Sequence, residues 1–166
     1  VSVLLSSGPA HALLEPGQLV TDFARAELVG SSTGPIRTLA DYPGKVLVMF
    51  QFGYNCPVCI ADGPSFQTQI AQYYQSTAPS DVQVVGADMW NGSNAAVVTF
   101  RNQIGATFPL LLQAGTLSAG NLNGWGPWDN YVIASPDGVV RFNAAAQGYA
   151  HGSRLDVPRM RALIDS

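Results

Sequence analysis

Short continuous apolar runs alternate in this chain with apolar residues at helical spacing, an order that predicts an α/β fold. Val46–Phe52 is an unbroken, β-prone apolar run, as expected of a strand buried on both faces of a central sheet. The apolar runs at 82–87 and 108–112 predict two further strands. The residues between the runs carry the 3.6-residue apolar period of helices, so we expect parallel strands joined by helical crossovers.

The C-terminal part of the chain predicts a β-hairpin and a closing helix. Apolar runs at 131–134 and 139–142 flank a segment with Pro136 and Gly138 at the positions that a type I turn favours. Asp156 can cap the last helix. The full order is strand, helix, strand, helix, strand, hairpin and helix, which implies a mixed central sheet with helices on both faces.

Proline, glycine and polar residues indicate the expected course of the first two helices and of the loop that follows them. Pro64 lies within the first helical pattern and should kink it, because proline removes one backbone hydrogen bond. Ser93 or Asn94 can cap the second helix, and Gly105 can end it. The stretch 113–126 is rich in Gly, Asn and Ser, so we expect it to be either a mobile loop or a binding loop.

Size and composition narrow the class of protein. The 166 residues suit one domain, which we place at 16–166, after a segment 1–15 that is either an N-terminal arm or a signal-peptide remnant. A net charge of −3 and dispersed Lys and Arg residues argue against nucleic-acid binding. No apolar run approaches the ~20 residues of a membrane-spanning helix. Charged residues make up only 11% of the chain, which is compatible with an exported protein.

Cys56 and Cys59 are the only cysteines, and they stand where the central strand ends and a helix begins. Such a pair is a structural disulfide, part of a metal site, or a redox pair. A zinc site needs two more ligands, and the only histidines, His11 and His151, are isolated; we interpret His151 as a loop residue. A helix N-terminus stabilises a thiolate, and Pro57 suits the first helical position, so the placement favours a redox pair.

The motifs, taken in order, resemble the thioredoxin superfamily, and within it the extracytoplasmic redoxin branch typified by TlpA and ResA, kin to the AhpC/TSA peroxiredoxins. The resemblance depends on the lead-in at 16–23, the segment 39–45, the Cys-Pro-Val-Cys motif at 56–59 with an acid at 62 and a proline at 64, the segment 108–111, and the turn at 136–138. It implies a thioredoxin-like three-layer α/β/α sandwich with a mixed central sheet.

The resemblance also implies an activity and a setting. We expect a monomeric thiol–disulfide oxidoreductase without a cofactor or metal, located outside the cytoplasm, either in the periplasm or secreted. Its partners would be protein thiols and disulfides together with a redox partner protein.

Roles for the motif residues follow. Cys56 should attack, because it lies at the exposed start of the helix, and Cys59 should resolve the mixed disulfide. Asp62 matches the acid of the redoxin branch, where it would accept or relay the proton of Cys59. The alternative for Asp62 is a solvated acid that favours the helix dipole.

Two departures from the redoxin pattern stand out. Asn55 occupies the position before the first cysteine, where the family usually has Trp. The family also places a cis-proline beside the disulfide, at the start of the strand that leads into the hairpin. Pro127 is the nearest candidate, but an ungapped count from the turn puts Asp129 there, so either a two-residue bulge intervenes or this proline is absent.

Four aromatic residues are candidates for a substrate-binding collar. Loops at the C-terminal edge of the sheet converge near the cysteines, so we expect Tyr54, Trp90, Trp125 and Trp128 to cluster there and to contact an extended polypeptide. The alternative for each of them is ordinary burial in the core.

Two other functions fit the same fold. A thiol peroxidase of the peroxiredoxin type would need Pro at 49 and Thr at 53, where this chain has Met49 and Gly53. A copper-binding protein of the Sco kind would space its cysteines three apart and add a histidine, and neither His11 nor His151 matches that position.

Overall fold

Seven strands form one mixed sheet within residues 12–115 and 124–166, the ranges that the computed structural model describes. They are β1 (Arg25–Val29), β2 (Ser32–Arg37), β3 (Val46–Phe52), β4 (Val82–Asp88), β5 (Leu110–Leu111), β6 (Asn130–Ala134) and β7 (Val140–Asn143). Their order across the sheet is β2-β1-β5-β4-β3-β6-β7.

The helices follow the strands as the apolar pattern predicts. They are a 3₁₀ helix at Leu39–Asp41, α1 (Pro57–Phe66), a π-helical turn at Gln67–Ala71, α2 (Gln72–Thr77), α3 (Asn94–Ile104) and α4 (Val157–Ile164). The result is an α/β fold with a mixed central sheet, as expected from the sequence.

Strand β3 occupies the interior of the sheet. It pairs in parallel with β4, with Val46 beside Val82, and antiparallel with β6, with Gln51 beside Asn130. All seven of its residues are buried, which explains why six of them are apolar; the seventh, Gln51, is a buried polar residue. The cysteine motif therefore follows a strand that is buried along its whole length.

Local signals in the sequence account for the helix bounds. Ser93 caps α3 by accepting a hydrogen bond from the Ala96 N–H at 3.2 Å, and Gly105 ends it with a φ of 68°. Asp156 caps α4. The first long helix continues through Pro64 and changes from α to π geometry at Gln67–Ala71, three residues further along the chain. The kink expected at Pro64 stays a prediction.

Each face of the sheet has its own hydrophobic core. On one face, alternate residues of β3, such as Phe50 and Phe52, pack against α1, α3 and α4. On the other face, Leu47 and Met49 pack with residues from the N-terminal segment and with Trp125. Within the described ranges, this second covering layer consists of the 3₁₀ helix and irregular segments, whereas the α-helices lie on the first face. The helices expected on both faces are therefore α-helices on one face and a 3₁₀ helix on the other.

Some expectations needed adjustment, and some lie outside the described residues. The hairpin of β6 and β7 is confirmed, but the strand predicted at 108–112 is only two residues long. Strands β1 and β2 form a hairpin where the sequence carried only weak signals. Of the N-terminal segment 1–15, residues 1–11 lie outside the described ranges, as do residues 116–123 of the loop 113–126. No helix in the described ranges is long and apolar enough to cross a membrane.

Candidate active site

The two cysteines lie in the first turn of α1, directly beyond the end of β3. Cys56 is the N-cap residue, and its sulfur accepts a hydrogen bond from the backbone N–H of Cys59 at 3.2 Å. Pro57 occupies the first helical position. Both cysteines are free thiols in this structure. The helix start thus presents a backbone donor to the Cys56 sulfur.

Both thiols are enclosed. Cys56 is 1% exposed and Cys59 is fully buried, so the expectation that Cys56 stands at an exposed helix start is wrong. Cys56 packs within the core on the helical face of the sheet. Burial raises the pKa of Cys59 far above its usual range, and the hydrogen bond with Cys56 raises it further, while a backbone hydrogen bond from Gly53 opposes the shift. Cys59 therefore holds its proton at neutral pH.

Asp62 lies in α1, one turn after Cys59, and is partly buried. Burial raises the pKa of its carboxyl group, and the negative charge of Asp129 raises it further. Its role as proton acceptor for Cys59 stays a prediction. The structure adds that Asp62 shares the neighbourhood of the thiols with a second, more deeply buried acid.

Three of the four predicted aromatic residues form one partly exposed surface. Tyr54 meets Trp90 edge-on, with ring centroids 6.1 Å apart, and Trp90 meets Trp128 at 5.8 Å. Trp90 and Trp128 are 38% and 40% exposed. The Trp90 ring lies directly over Gly53, where any β-carbon would overlap it. We call these three residues, with His151 beside Trp128, the aromatic surface.

Trp125 does not belong to the aromatic surface, and its inclusion among the substrate contacts is a correction. It is fully buried in the core on the opposite face, meets Phe23 edge-on at 5.8 Å, and donates a hydrogen bond from Nε1 to the Thr21 carbonyl. The ordinary alternative, burial in the core, is the one that holds for this residue.

Pro127 does not fill the position of the family's proline. Strands β3 and β6 pair without a bulge, so Asp129 is the residue that directly precedes β6, and Pro127 lies two residues further out. The described residues contain no cis peptide bond. The two-residue bulge is therefore absent, and the prediction of Pro127 as the cis-proline is corrected: an aspartate occupies that position.

Sequence reasoning missed the part that Asp129 and His151 play. Asp129 is fully buried, and its Oδ2 lies 2.9 Å from Nδ1 of the half-exposed His151 and accepts a hydrogen bond from the Gly152 N–H at 2.7 Å. The ungapped count had already placed an acid there, but nothing in the sequence linked it to a histidine 22 residues later. His151 is therefore more than a loop residue.

Asp88 is a second buried acid that the sequence analysis did not single out. It ends β4, and its carboxylate accepts hydrogen bonds from the N–H groups of Trp90 at 3.1 Å and Gly92 at 2.6 Å. Burial raises its pKa, and these backbone donors, with that of Tyr54, oppose the shift. Asp88 thereby fixes the turn that carries Trp90.

A buried amide network holds the segment that leads to Asp129. Asn130 donates from Nδ2 to Gln51 Oε1 at 2.8 Å and to Asn143 Oδ1 at 3.0 Å, and its Oδ1 accepts from the Ala145 N–H at 2.9 Å. Gln51 in turn donates to the Gly126 carbonyl at 2.9 Å. Strand β3 is thus connected to both sides of the loop before β6.

The described ranges contain no group of three or more His, Cys, Asp or Glu side chains placed to hold a metal ion.

Comparison with known proteins gives one family and a set of distant structural likenesses. The AhpC/TSA family model matches residues 16–143. A search of curated proteins found no match. A secreted Mycobacterium tuberculosis disulfide oxidoreductase, homologous to E. coli DsbE, is 20% identical, with 86% of this chain and 94% of that one covered and a TM-score of 0.62.

Two further solved structures show the same likeness. A DsbF homologue from Corynebacterium diphtheriae is 17% identical, with 99% and 98% coverage and a TM-score of 0.68. Mycobacterium tuberculosis AhpC is 21% identical, with 92% and 97% coverage and a TM-score of 0.63. At these identities the likeness establishes the thioredoxin-like fold.

Proposed function

We propose, given that this chain belongs to the AhpC/TSA family, that it is a thiol–disulfide oxidoreductase in which Cys56 and Cys59 exchange electrons with a substrate disulfide. The observation that carries the proposal is the position of Cys56 as the N-cap of α1, where its sulfur accepts the Cys59 N–H. Thiolate, rather than thiol, is the nucleophile in disulfide exchange, and a helix start stabilises it.

The exchange proceeds in two steps. The Cys56 thiolate attacks a sulfur of the substrate disulfide and forms a mixed disulfide, which Cys59 then resolves. Because Cys56 is only 1% exposed, its cover must shift for the substrate sulfur to reach it. Because burial raises the pKa of Cys59 so strongly, the second step needs a nearby proton acceptor, for which Asp62 is the residue that the family resemblance offers.

The substrates in this proposal are protein thiols and disulfides outside the cytoplasm. The aromatic surface supports a polypeptide substrate, since Trp90 and Trp128 expose large rings next to the start of α1. The location is supported by the structurally similar disulfide oxidoreductase of M. tuberculosis, which is described as secreted.

Cysteine variants test the exchange. We expect Cys56→Ser to abolish reduction of a polypeptide disulfide such as insulin, and Cys59→Ser to accumulate a mixed disulfide visible by mass spectrometry. Retention of full activity by Cys56→Ser would refute the proposal. Denaturation curves of both variants check that the loss of activity is not a loss of folding.

Tryptophan variants test the substrate class. Trp90→Ala and Trp128→Ala should raise KM for the polypeptide disulfide several-fold while leaving the reaction with glutathione disulfide nearly unchanged. Ile36→Ala, which truncates a residue that is 59% exposed on β2, is the matched control. Equal effects on both substrates would contradict a polypeptide-binding role.

A peroxidase function, which the family name also covers, is disfavoured by the position three residues before Cys56. Peroxiredoxins need a threonine hydroxyl there, and Gly53 has the Trp90 ring packed against its α-carbon, which leaves no room for a side chain. Peroxide consumption by the reduced protein at rates far above those of free cysteine would reverse this order of preference.

A further inference from the structure

One carboxylate oxygen of Asp129 has hydrogen-bond partners, and the other has none among the described residues. Its Oδ2 is held by His151 Nδ1 at 2.9 Å and by the Gly152 N–H at 2.7 Å. Its Oδ1 is buried and has no hydrogen-bond partner among the described residues. A buried acceptor without a donor is costly, and in a native structure it calls for an explanation.

The neighbours of Asp129 connect it to the cysteine motif. Gly152, bound to its carboxylate, lies against Val58, the residue between Pro57 and Cys59; a β-carbon on Gly152 would be 3.9 Å from Val58 Cγ2. The charge of Asp129 acts on both Cys59 and Asp62. The carboxylate is therefore bound to a segment that lies against the first turn of α1, within electrostatic reach of the resolving thiol.

The backbone of Asp129 is also unusual. Its φ is 54°, in the left-handed region that few residues other than glycine adopt. Arg154 fixes this conformation by donating to the backbone carbonyls of Trp128 at 3.2 Å and Asp129 at 3.3 Å. Backbone conformations of this kind concentrate at functional sites, where surrounding contacts maintain them.

We propose that Asp129 accepts the proton of Cys59 when Cys59 resolves the mixed disulfide, with His151 and Gly152 as the groups that position its carboxylate. The inference rests on the proposed function, and it assigns to a residue before β6 a role that the family resemblance gives to Asp62. Orientation of an acid or base by a hydrogen bond at its far atom is a recurrent arrangement in catalytic sites.

In the resolving step, one proton and two electrons leave the cysteine pair. The Cys59 thiol transfers its proton to Oδ1 of Asp129, and the resulting thiolate attacks the Cys56 sulfur. The bond between Cys56 and Cys59 forms, and the bond between Cys56 and the substrate sulfur breaks. The substrate leaves as a thiolate, so two electrons pass from the cysteine pair to the substrate. When the pair is reduced again, Cys59 regains its proton from Asp129.

The other titratable and charged groups around Asp129 suit this role less well. Tyr131 has a buried hydroxyl, and burial together with the nearby acids raises its pKa well above the usual value, so it keeps its proton. His151 has Nδ1 engaged with Asp129, and Arg154 is a permanent cation. The Cys56 sulfur is the atom that the Cys59 thiolate attacks. Asp62, on α1, is the competing acceptor that the experiment must separate from Asp129.

Two-step kinetics with the aromatic disulfide 5,5′-dithiobis(2-nitrobenzoate) separate attack from resolution. The reduced protein releases one coloured thiolate when Cys56 attacks and a second when Cys59 resolves. We expect Asp129→Asn to slow the second release at least tenfold at pH 6.5, to leave the first within about twofold, and to make the second rate rise steadily with pH. Asp81→Asn, at an exposed acid, is the matched control and should change neither step.

Further variants make the assignment falsifiable. His151→Ala should slow the second release several-fold, and His151→Gln, which can still donate to Oδ2, should restore most of it. The inference is overturned if Asp129→Asn resolves normally, if it slows both releases equally, or if Asp62→Asn alone produces the selective loss. Absence of the first release from the wild-type protein, or its persistence in Cys56→Ser, would instead refute the proposed exchange itself.

Discussion

Removal of the Asn130 side chain should destabilise the protein more than any exposed amide substitution, because Asn130 is the centre of the buried network beneath the site. Asn130→Ala leaves Gln51 Oε1 without a donor and the Ala145 N–H without an acceptor. Asn143 and Trp125 each keep another hydrogen-bond contact. The prediction therefore concerns one buried acceptor and one partly buried donor, both left without a partner.

The magnitude follows from the cost of such groups. Each donor or acceptor that is left unpaired costs about 1–3 kcal/mol, so the free energy of unfolding should fall by about 2–6 kcal/mol. That is a large part of the roughly 5–15 kcal/mol typical of native proteins. With a urea m-value of about 2 kcal/mol/M, the midpoint should move down by about 1–3 M.

Urea unfolding of Asn130→Ala, Asn130→Asp and Asn102→Ala provides the assay. Asn130→Asp leaves no cavity but replaces the amide donor by an acceptor that faces Gln51 Oε1, so it should also be destabilised. Asn102 is exposed on α3, and its truncation should change the unfolding free energy by less than about 0.5 kcal/mol. A loss below 1 kcal/mol in both Asn130 variants would refute the hydrogen-bond reasoning.

Three further predictions concern the neighbourhood of the thiols. Gly53→Ala should displace the Trp90 ring, which would shift the tryptophan fluorescence and lower stability by about 1–3 kcal/mol; an unchanged spectrum would contradict the packing described here. In Cys56→Ser, the raised pKa of Cys59 should make its alkylation by iodoacetamide at pH 8 at least ~100-fold slower than that of free cysteine, which mass spectrometry can follow. Because the folded-state pKa of Asp62 is raised, its contribution to stability is present at low pH and is lost as pH rises through that pKa. Asp62→Asn should therefore gain stability over the wild type between about pH 4 and pH 7, whereas Asp81→Asn should show no such trend in unfolding curves at the two pH values.

Much of the fold follows directly from the sequence, because burial on both sides of a strand requires an unbroken apolar run. Val46–Phe52 met that condition except at Gln51, whose buried amide is hydrogen-bonded, and its strand lies in the interior of the sheet as expected. The capping residues Ser93 and Gly105 predicted where α3 begins and ends. The strand at 110–111 proved shorter than its apolar run, because only two of its residues pair with β4. Apolar character predicts burial better than it predicts hydrogen bonding.

The site was less predictable, since its properties depend on contacts between residues far apart in the chain. The cysteine spacing and the helix start identified the motif, but the enclosure of Cys56 depends on tertiary packing that no local pattern encodes. Trp125 and Trp128 are three residues apart, yet Trp125 is buried in the second core whereas Trp128 is 40% exposed beside Trp90. The left-handed Gly126, with a φ of 142°, lies between them in the chain.

The presence of aspartate instead of proline before β6 changes the backbone conformation as well as the side chain. Proline fixes φ near −65°, whereas Asp129 has a φ of 54°, so proline cannot occupy this position without rebuilding the loop. Aspartate is among the few residues that tolerate the left-handed region. The contacts that maintain this conformation, from His151, Gly152 and Arg154, all come from one segment before α4. At the position where the redoxin pattern expects a proline, the chain thus has an acid together with the segment that holds it.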